Sequence, residues 1–229
     1  MSQQQTSRRF IAYVAPCALY IVPTMFETRG WLGLSYEIVC TLKGVMAAAA
    51  LWAYRQHYPR FSTVGFGLAV ITGAMGCMLW IVLDRFQNAI PSVQQLMTVL
   101  HGSRVGYDPF SGEGSVAAGL AFVAVRLVEL ALIVPVIEEV FWRGFLSRYL
   151  IADDFENVPQ GAFTWYSFIL VTLTFGSVHP EILAAITWGV LINALYCKTA
   201  NLWACIVMHA VTNGLLAAYI LATRNWHLW

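Results

Sequence analysis

Residues 135–150 read Pro135-Val-Ile-Glu138-Glu139-Val-Phe141-Trp142-Arg143-Gly-Phe-Leu-Ser-Arg148-Tyr-Leu150, two adjacent carboxylates and an arginine inside an otherwise apolar and aromatic run. At about 100° per residue, Glu139 and Arg143 lie four apart on one helical face and can pair. Glu138 points about 100° away, beside Phe141 and Trp142, and is left without a partner in the stretch. An ionisable side chain at membrane depth costs about 2.5–3.5 kcal/mol on insertion scales, so a lipid-embedded Glu138 is a functional candidate by default.

Lipid is the medium that the composition demands. Of 229 residues, 59% are hydrophobic and 11% charged, against roughly 25% charged in soluble domains. The net charge of +1 offers neither a basic patch for nucleic acid nor an acidic tail. Apolar runs of this length, without alternation, exclude a barrel and leave helices as the only way to satisfy the backbone in lipid. The expected fold is an all-α polytopic bundle of about eight membrane-embedded helices, near residues 10–26, 31–54, 64–83, 115–134, 136–151, 162–178, 182–197 and 202–222. It forms one integral-membrane domain over residues 1–229, with its chemistry in 135–213. Arg8 and Arg9 precede an apolar run that resembles a signal peptide. No small-x-small site follows it, and Pro16 before Cys17 spoils a lipoprotein signal, so it is read as the first membrane helix.

Other features have structural readings. Cys17, Cys40, Cys77, Cys197 and Cys205 lie in apolar runs without C-x-x-C spacing, as buried small residues do. Trp31, Trp52, Trp165, Trp203 and Trp226 sit near run ends as interface anchors. Arg126 and Glu129, three apart, form a buried pair, and Lys43 snorkels. The break from Arg85 to Gly114 is a connecting loop, with a short amphipathic surface helix at 92–100. The C-terminal Trp226-His-Leu-Trp229 has no cysteine four from the end, so the chain is not itself a prenylation substrate.

Two further polar sets fall in apolar segments: Phe175-Gly-Ser-Val-His179 before Pro180, and His209-Ala-Val-Thr-Asn213. In each the end residues are four apart and share a helical face. If Pro135 ends or kinks one helix, the next carries Glu138 across the membrane, turns through Asp153-Asp-Phe-Glu-Asn157, and returns as the helix ending at His179. That hairpin puts Glu138 beside His179. The two form a general-base pair for water, while His209 and Asn213 are suited to donate to a developing oxyanion. No G-x-S-x-G is present. Zinc held by His179, His209 and Glu138 is the competing reading, although H-E-x-x-H is absent.

Glu138-Glu139-Val-Phe-Trp-Arg143, Phe175-Gly-Ser-Val-His179 and His209-Ala-Val-Thr-Asn213 resemble the E-E-x-x-x-R, F-x-x-x-H and H-x-x-x-N motifs of the type II CAAX prenyl endopeptidases and related bacteriocin-processing proteins. All three occur in the family's order. Tyr107-Asp-Pro-Phe110 and Phe141-Trp-Arg-Gly-Phe-Leu146 further resemble bacterial CAAX-protease-related proteins associated with exosortase sorting systems. The resemblance implies a glutamate-dependent intramembrane protease of a bacterial inner membrane, without cofactor or metal. In it Glu138 activates water with His179, Arg143 supports the glutamate pair through Glu139, and His209 with Asn213 forms the oxyanion site. Phe141, Trp142 and Phe175 are the expected substrate contacts. Expected partners are membrane lipids, a lipidated or membrane-anchored protein or peptide, and exosortase-type sorting machinery. A non-catalytic scaffold or immunity protein using the same cavity is the alternative from another class; a transporter lacks repeated halves. An even helix count puts both termini on one side, and flanking charges then divide evenly, Arg8, Arg9, Arg55, Arg60 and Arg224 against Arg29, Arg85, Arg104, Arg148 and Lys198.

Overall fold

The computed structural model describes residues 3–24, 33–101, 106–111 and 115–229; Phe26, Arg29, Trp31 and Arg104 lie outside them. Eight helices are present among the described residues: α1 Gln3–Thr24, α2 Tyr36–Tyr54, α3 Phe66–Ala89, α4 Pro91–His101, α5 Val116–Tyr149, α6 Trp165–Ser177, α7 Ile182–Thr199 and α8 Leu202–Thr223. α2 (continuing to His57), α3, α5, α7 and α8 are long and apolar enough to cross a bilayer, while α1 from Arg9 and α6 are shorter apolar helices. The protein is an all-α polytopic bundle. α4 coincides with the surface helix expected at 92–100, and α3 runs on past Arg85 to Ala89.

The largest departure from the sequence reading is α5. Residues 115–134 and 136–151 were expected as two helices parted at Pro135; they form one helix of 34 residues. Pro135 does not break it because the turn before it, Glu129–Ile133, is π-helical. There the Val134 N–H bonds back to the Glu129 carbonyl, five residues away. In that register the Leu130 carbonyl would take its proton from residue 135, and proline has none. Asn213 Nδ2 donates to Leu130 O at 2.9 Å instead, so the carbonyl orphaned by proline is satisfied from α8. A second π segment, Val140–Leu146, follows. Four-residue steps drift by about 40° in a regular α-helix, and the wider π turn at Glu129–Ile133 draws that drift back. As a result Arg126, Leu130, Val134 and Glu138 all reach the same cavity.

α3 and α8 make the most extensive helix pair. Their approach depends on small residues: a Cβ on Gly73 would lie 2.7 Å from the Met208 carbonyl, and one on Gly76 2.8 Å from Trp188 Cδ1. Contacts also sort the loops to two faces. On one, Arg9 pairs with Glu156, Asn201 Nδ2 donates to the carbonyls of Ser62 and Val64, and Trp203 Nε1 donates to Pro59 O. On the other, Gln87 bonds Pro180 O and the Leu183 N–H, and His227 meets Asp84. Because α5 is a single crossing, α1 starts on the first face and α8 ends on the second, not on one face as an even count implied. Among the described residues Arg9, Arg55, Arg60, Arg148 and Lys198 then flank the first face, and Arg85 and Arg224 the second.

The cysteines are buried, or half-buried for Cys197, and none of the five is in a disulfide. Lys43 does not snorkel: it is 1% exposed, with Nζ donating to Thr24 Oγ1 at 2.9 Å. Trp226 packs at the cavity rim beside Phe110, a different position from a plain interface anchor.

Candidate active site

The cavity of about 540 Å³ lies between α1, α2, α3, α5, α6, α7 and α8. α5 contributes Glu138, the end of α6 contributes Phe175 and His179, α7 contributes Trp188, and α8 contributes His209, Thr212 and Asn213. Local sequence sets these depths. Thr164 Oγ1 accepts from the Ser167 N–H and starts α6 at the first face. Thirteen residues extend about 20 Å, short of a 30 Å hydrocarbon core, and Pro180 blocks continuation. His179 is therefore held inside the membrane. Glu138 lies eleven residues from Tyr149 along α5, about 16 Å in, within roughly one helical turn of the depth of His179.

Glu138 Oε2 is buried and has no hydrogen-bond partner. His179 Nδ1 lies 2.8 Å from the Phe175 carbonyl. A carbonyl only accepts, so Nδ1 carries the proton and Nε2 is the basic nitrogen of the neutral ring. Phe175 and Trp80 contact the same ring, with centroids at 4.3 and 5.8 Å.

Beneath this lining runs a chain of buried bonds. Glu139 and Arg143 are both fully buried and paired at 3.1 Å. Glu139 Oε1 also accepts from His209 Nδ1 at 2.8 Å. Arg143 Nε donates to Asn193 Oδ1 at 3.0 Å, and Asn193 Nδ2 donates to Thr172 Oγ1 at 2.9 Å. The arginine accounts for the orientation of the amide, since only Oδ1 can accept from it. The guanidinium also lies over Phe175 and Trp188, 5.4 and 5.7 Å from the ring centroids. The effect is to clamp His209 through Nδ1. Its Nε2 accepts in the neutral ring and donates in the imidazolium, for which Glu139 is the counter-ion. Trp188 stands edge-on to His209 at 4.7 Å, and its Nε1 donates to Thr212 Oγ1 at 3.1 Å.

Asn213 spends one amide proton on Leu130 O, and its second remains to be donated. Of the three aromatic residues expected at the substrate, Phe175 lines the cavity. Trp142 is buried against Phe175, centroids 5.7 Å apart, and Phe141 packs between Trp142 and Phe145; neither is among the lining residues. Arg126 Nη1 meets Glu129 Oε2 at 3.2 Å, as the spacing implied. Trp188, Asn193 and Thr212 were not singled out by the sequence reading. The signal for Asn193 is a lone amide inside an 18-residue apolar helix. Among the described residues no three His, Cys, Asp or Glu side chains converge as a metal-ligand set, including His179, His209 and Glu138.

No curated protein and no solved structure matches the chain. Residues 119–215, which contain Glu138, Glu139, Arg143, His179, His209 and Asn213, match the family model of the type II CAAX prenyl endopeptidases, Rce1-like.

Proposed function

We propose that the protein is an intramembrane endopeptidase that hydrolyses a peptide bond of a lipidated or membrane-embedded protein or peptide with water activated by Glu138. The observation that carries this reading is the meeting of a partnerless buried carboxylate atom with His179, His209 and Asn213 around one membrane-depth cavity. The family match over residues 119–215 supports protease chemistry. In the reaction, Glu138 takes a proton from water as its oxygen attacks the scissile carbonyl, with His179 Nε2 orienting that water. The tetrahedral oxyanion is held by the second amide proton of Asn213 and by His209 Nε2–H in its imidazolium form. Collapse breaks the C–N bond, and the proton held by Glu138 passes to the leaving amine. One carboxylate and one amine product result, with no other reactant consumed.

Arg143 and Glu139 act through His209, fixing the ring from behind. The apolar part of the lining, which includes Trp80, Phe175, Trp188 and Leu216, suits a substrate with a prenyl or transmembrane end. A bacterial inner-membrane location and exosortase-type machinery as partner belong to the same proposal and rest on the sequence resemblance. The test is turnover of a quenched fluorescent prenylated peptide by the detergent-purified protein, with and without chelator. Cleavage that survives chelation supports glutamate chemistry. Loss on chelation with recovery on adding zinc overturns it.

A further inference from the structure

His179 and His209 stand on different helices, His179 just past the end of α6 and His209 within α8. The buried chain behind His209 reaches α6 only at Thr172, seven residues before His179. Between the two histidines the contact is aromatic. The His179 ring lies against Phe175, with centroids 4.3 Å apart and planes at 31°. Phe175 stacks on Trp188 at 5.2 Å and 23°, and Trp188 meets His209 at 4.7 Å and 66°. Trp188, the rung supplied by α7, is 2% exposed. A buried indole N–H needs a partner, and this one donates to Thr212 Oγ1 at 3.1 Å. Thr212, equally buried, places its own proton between Gly73 O at 2.9 Å and Met208 O at 3.1 Å. On α3, the missing side chain of Gly76 leaves room for that bond. A Cβ there would lie 2.8 Å from Trp188 Cδ1, 3.0 Å from Nε1 and 3.2 Å from Thr212 Oγ1. Three helices are therefore built around one indole–hydroxyl bond, which apolar packing alone does not require. Trp80 backs the same ladder, touching both His179 and Trp188.

We propose that Trp188 is a positioning residue: its indole, oriented by the Thr212 hydroxyl, sets the spacing between the rings of His179 and His209. The effect on turnover rests on the endopeptidase reading above; the ring spacing does not. In that reading His179 orients the attacking water and His209 donates to the oxyanion, so the ladder fixes the distance from nucleophile to oxyanion site. Trp188 carries no group that titrates or attacks, and it acts through the rings on either side of it. His209 is pinned at Nδ1 by Glu139, which leaves its tilt to the indole packed against it. Phe175, and His179 with it, rests on the other end of the same contact. The Arg143 guanidinium lies over both Phe175 and Trp188, so the cation that holds Glu139 also presses on the middle of the ladder. Without the Thr212 acceptor the indole is free to turn in its socket, and both histidines move relative to each other. A displacement of about 1 Å in such a constellation can cost on the order of 100-fold in rate.

The experiment follows turnover of a prenylated quenched peptide by the full-length protein in nanodiscs, with folded fractions matched by thermal midpoint. Valine keeps the shape of Thr212 without its acceptor, and serine keeps the acceptor. Thr212→Val should lower kcat by about 10-fold and leave KM unchanged, and Thr212→Ser should stay at the wild-type value. Trp188→Phe should lower kcat by at least about 10-fold. Adding Thr212→Val to Trp188→Phe should cost nothing more, because the bond is already absent. Nuclear magnetic resonance of protein labelled only at histidine, with each histidine replaced in turn for assignment, reads ring positions without any substrate. The ring signals of His179 and His209 should both shift in Thr212→Val and in Trp188→Phe, and hold in Thr212→Ser. Wild-type kcat and unmoved histidine signals in Thr212→Val overturn the positioning role. So does a double variant in which the two losses multiply, since Thr212 would then act apart from the indole. Histidine signals that shift as expected, in a protein whose wild type never cleaves the peptide, retain the positioning role and refute the endopeptidase. Wild-type cleavage that Thr212→Val leaves intact does the reverse.

Discussion

The two adjacent glutamates have opposite physical situations, and neutralising each in turn should have opposite consequences. Glu139 accepts from Arg143 and His209, and both Glu139 and Arg143 have zero exposed side-chain surface. Glu139→Gln leaves a buried guanidinium without its counter-charge, which costs about 3–5 kcal/mol. For a chain of this size each kcal/mol moves the unfolding midpoint by about 2–4 °C, so a fall of roughly 6–20 °C is expected. Glu138 Oε2 has no partner to lose, so Glu138→Gln should leave the midpoint unchanged or slightly raised. The assay is thermal unfolding in detergent, followed by circular dichroism at a helical wavelength, on matched preparations. Adding Arg143→Met to Glu139→Gln should recover at least half of the loss, since the orphaned charge is then removed as well. A fall for Glu138→Gln as large as that for Glu139→Gln would refute the reasoning, because Glu138 would then be a structural ion. A neutral Glu139→Gln would refute the buried chain behind His209.

Other substitutions separate support from chemistry. Asn213→Ala strands the Leu130 carbonyl and should destabilise by about 1–3 kcal/mol; adding Pro135→Ala supplies an N–H to that carbonyl and should restore the midpoint but not turnover. Asn193→Ala should lower kcat with little change in KM, because the amide touches Arg143 and not the cavity, and steady-state kinetics on a prenylated peptide would show the split. Gly76→Ala puts a methyl 2.8 Å from Trp188 Cδ1 and should cost about 1–3 kcal/mol, measurable as a lower midpoint. The excess of flanking cations on the first face predicts that face as cytoplasmic. A cysteine at Thr223 should then label with an impermeant thiol reagent in intact spheroplasts, and one at Thr63 only after lysis.

The sequence carried the medium, the helical class and the polar motifs, because each rests on side-chain type and short spacing. Glu139 with Arg143 and Arg126 with Glu129 are readable at four and three residues apart since a helical turn dictates them. Pro135 misled, because its usual effect on a helix was absorbed by a π turn whose cost is met by Asn213, 83 residues away in sequence. That single error split α5, added a crossing and put both ends of the bundle on one face. The depth match of Glu138 and His179 followed by a different route, with α6 ending inside the membrane. His209 was legible as a polar residue in an apolar helix; its bond to Glu139 was not, for nothing local distinguishes Glu138 from Glu139 as the partner of a residue on α8. Asn193 escaped and Lys43 was misread as snorkelling for the same reason, as isolated polar residues whose partners are brought by packing.

The most direct test of the central claim is single-turnover cleavage of a prenylated peptide by wild type and Glu138→Gln in nanodiscs, with folded fraction matched by thermal midpoint. Loss of a general base predicts at least a ~100-fold lower rate for Glu138→Gln, at an unchanged midpoint and unchanged peptide binding. A Glu138→Gln protein that cleaves within a few-fold of the wild-type rate would contradict the account.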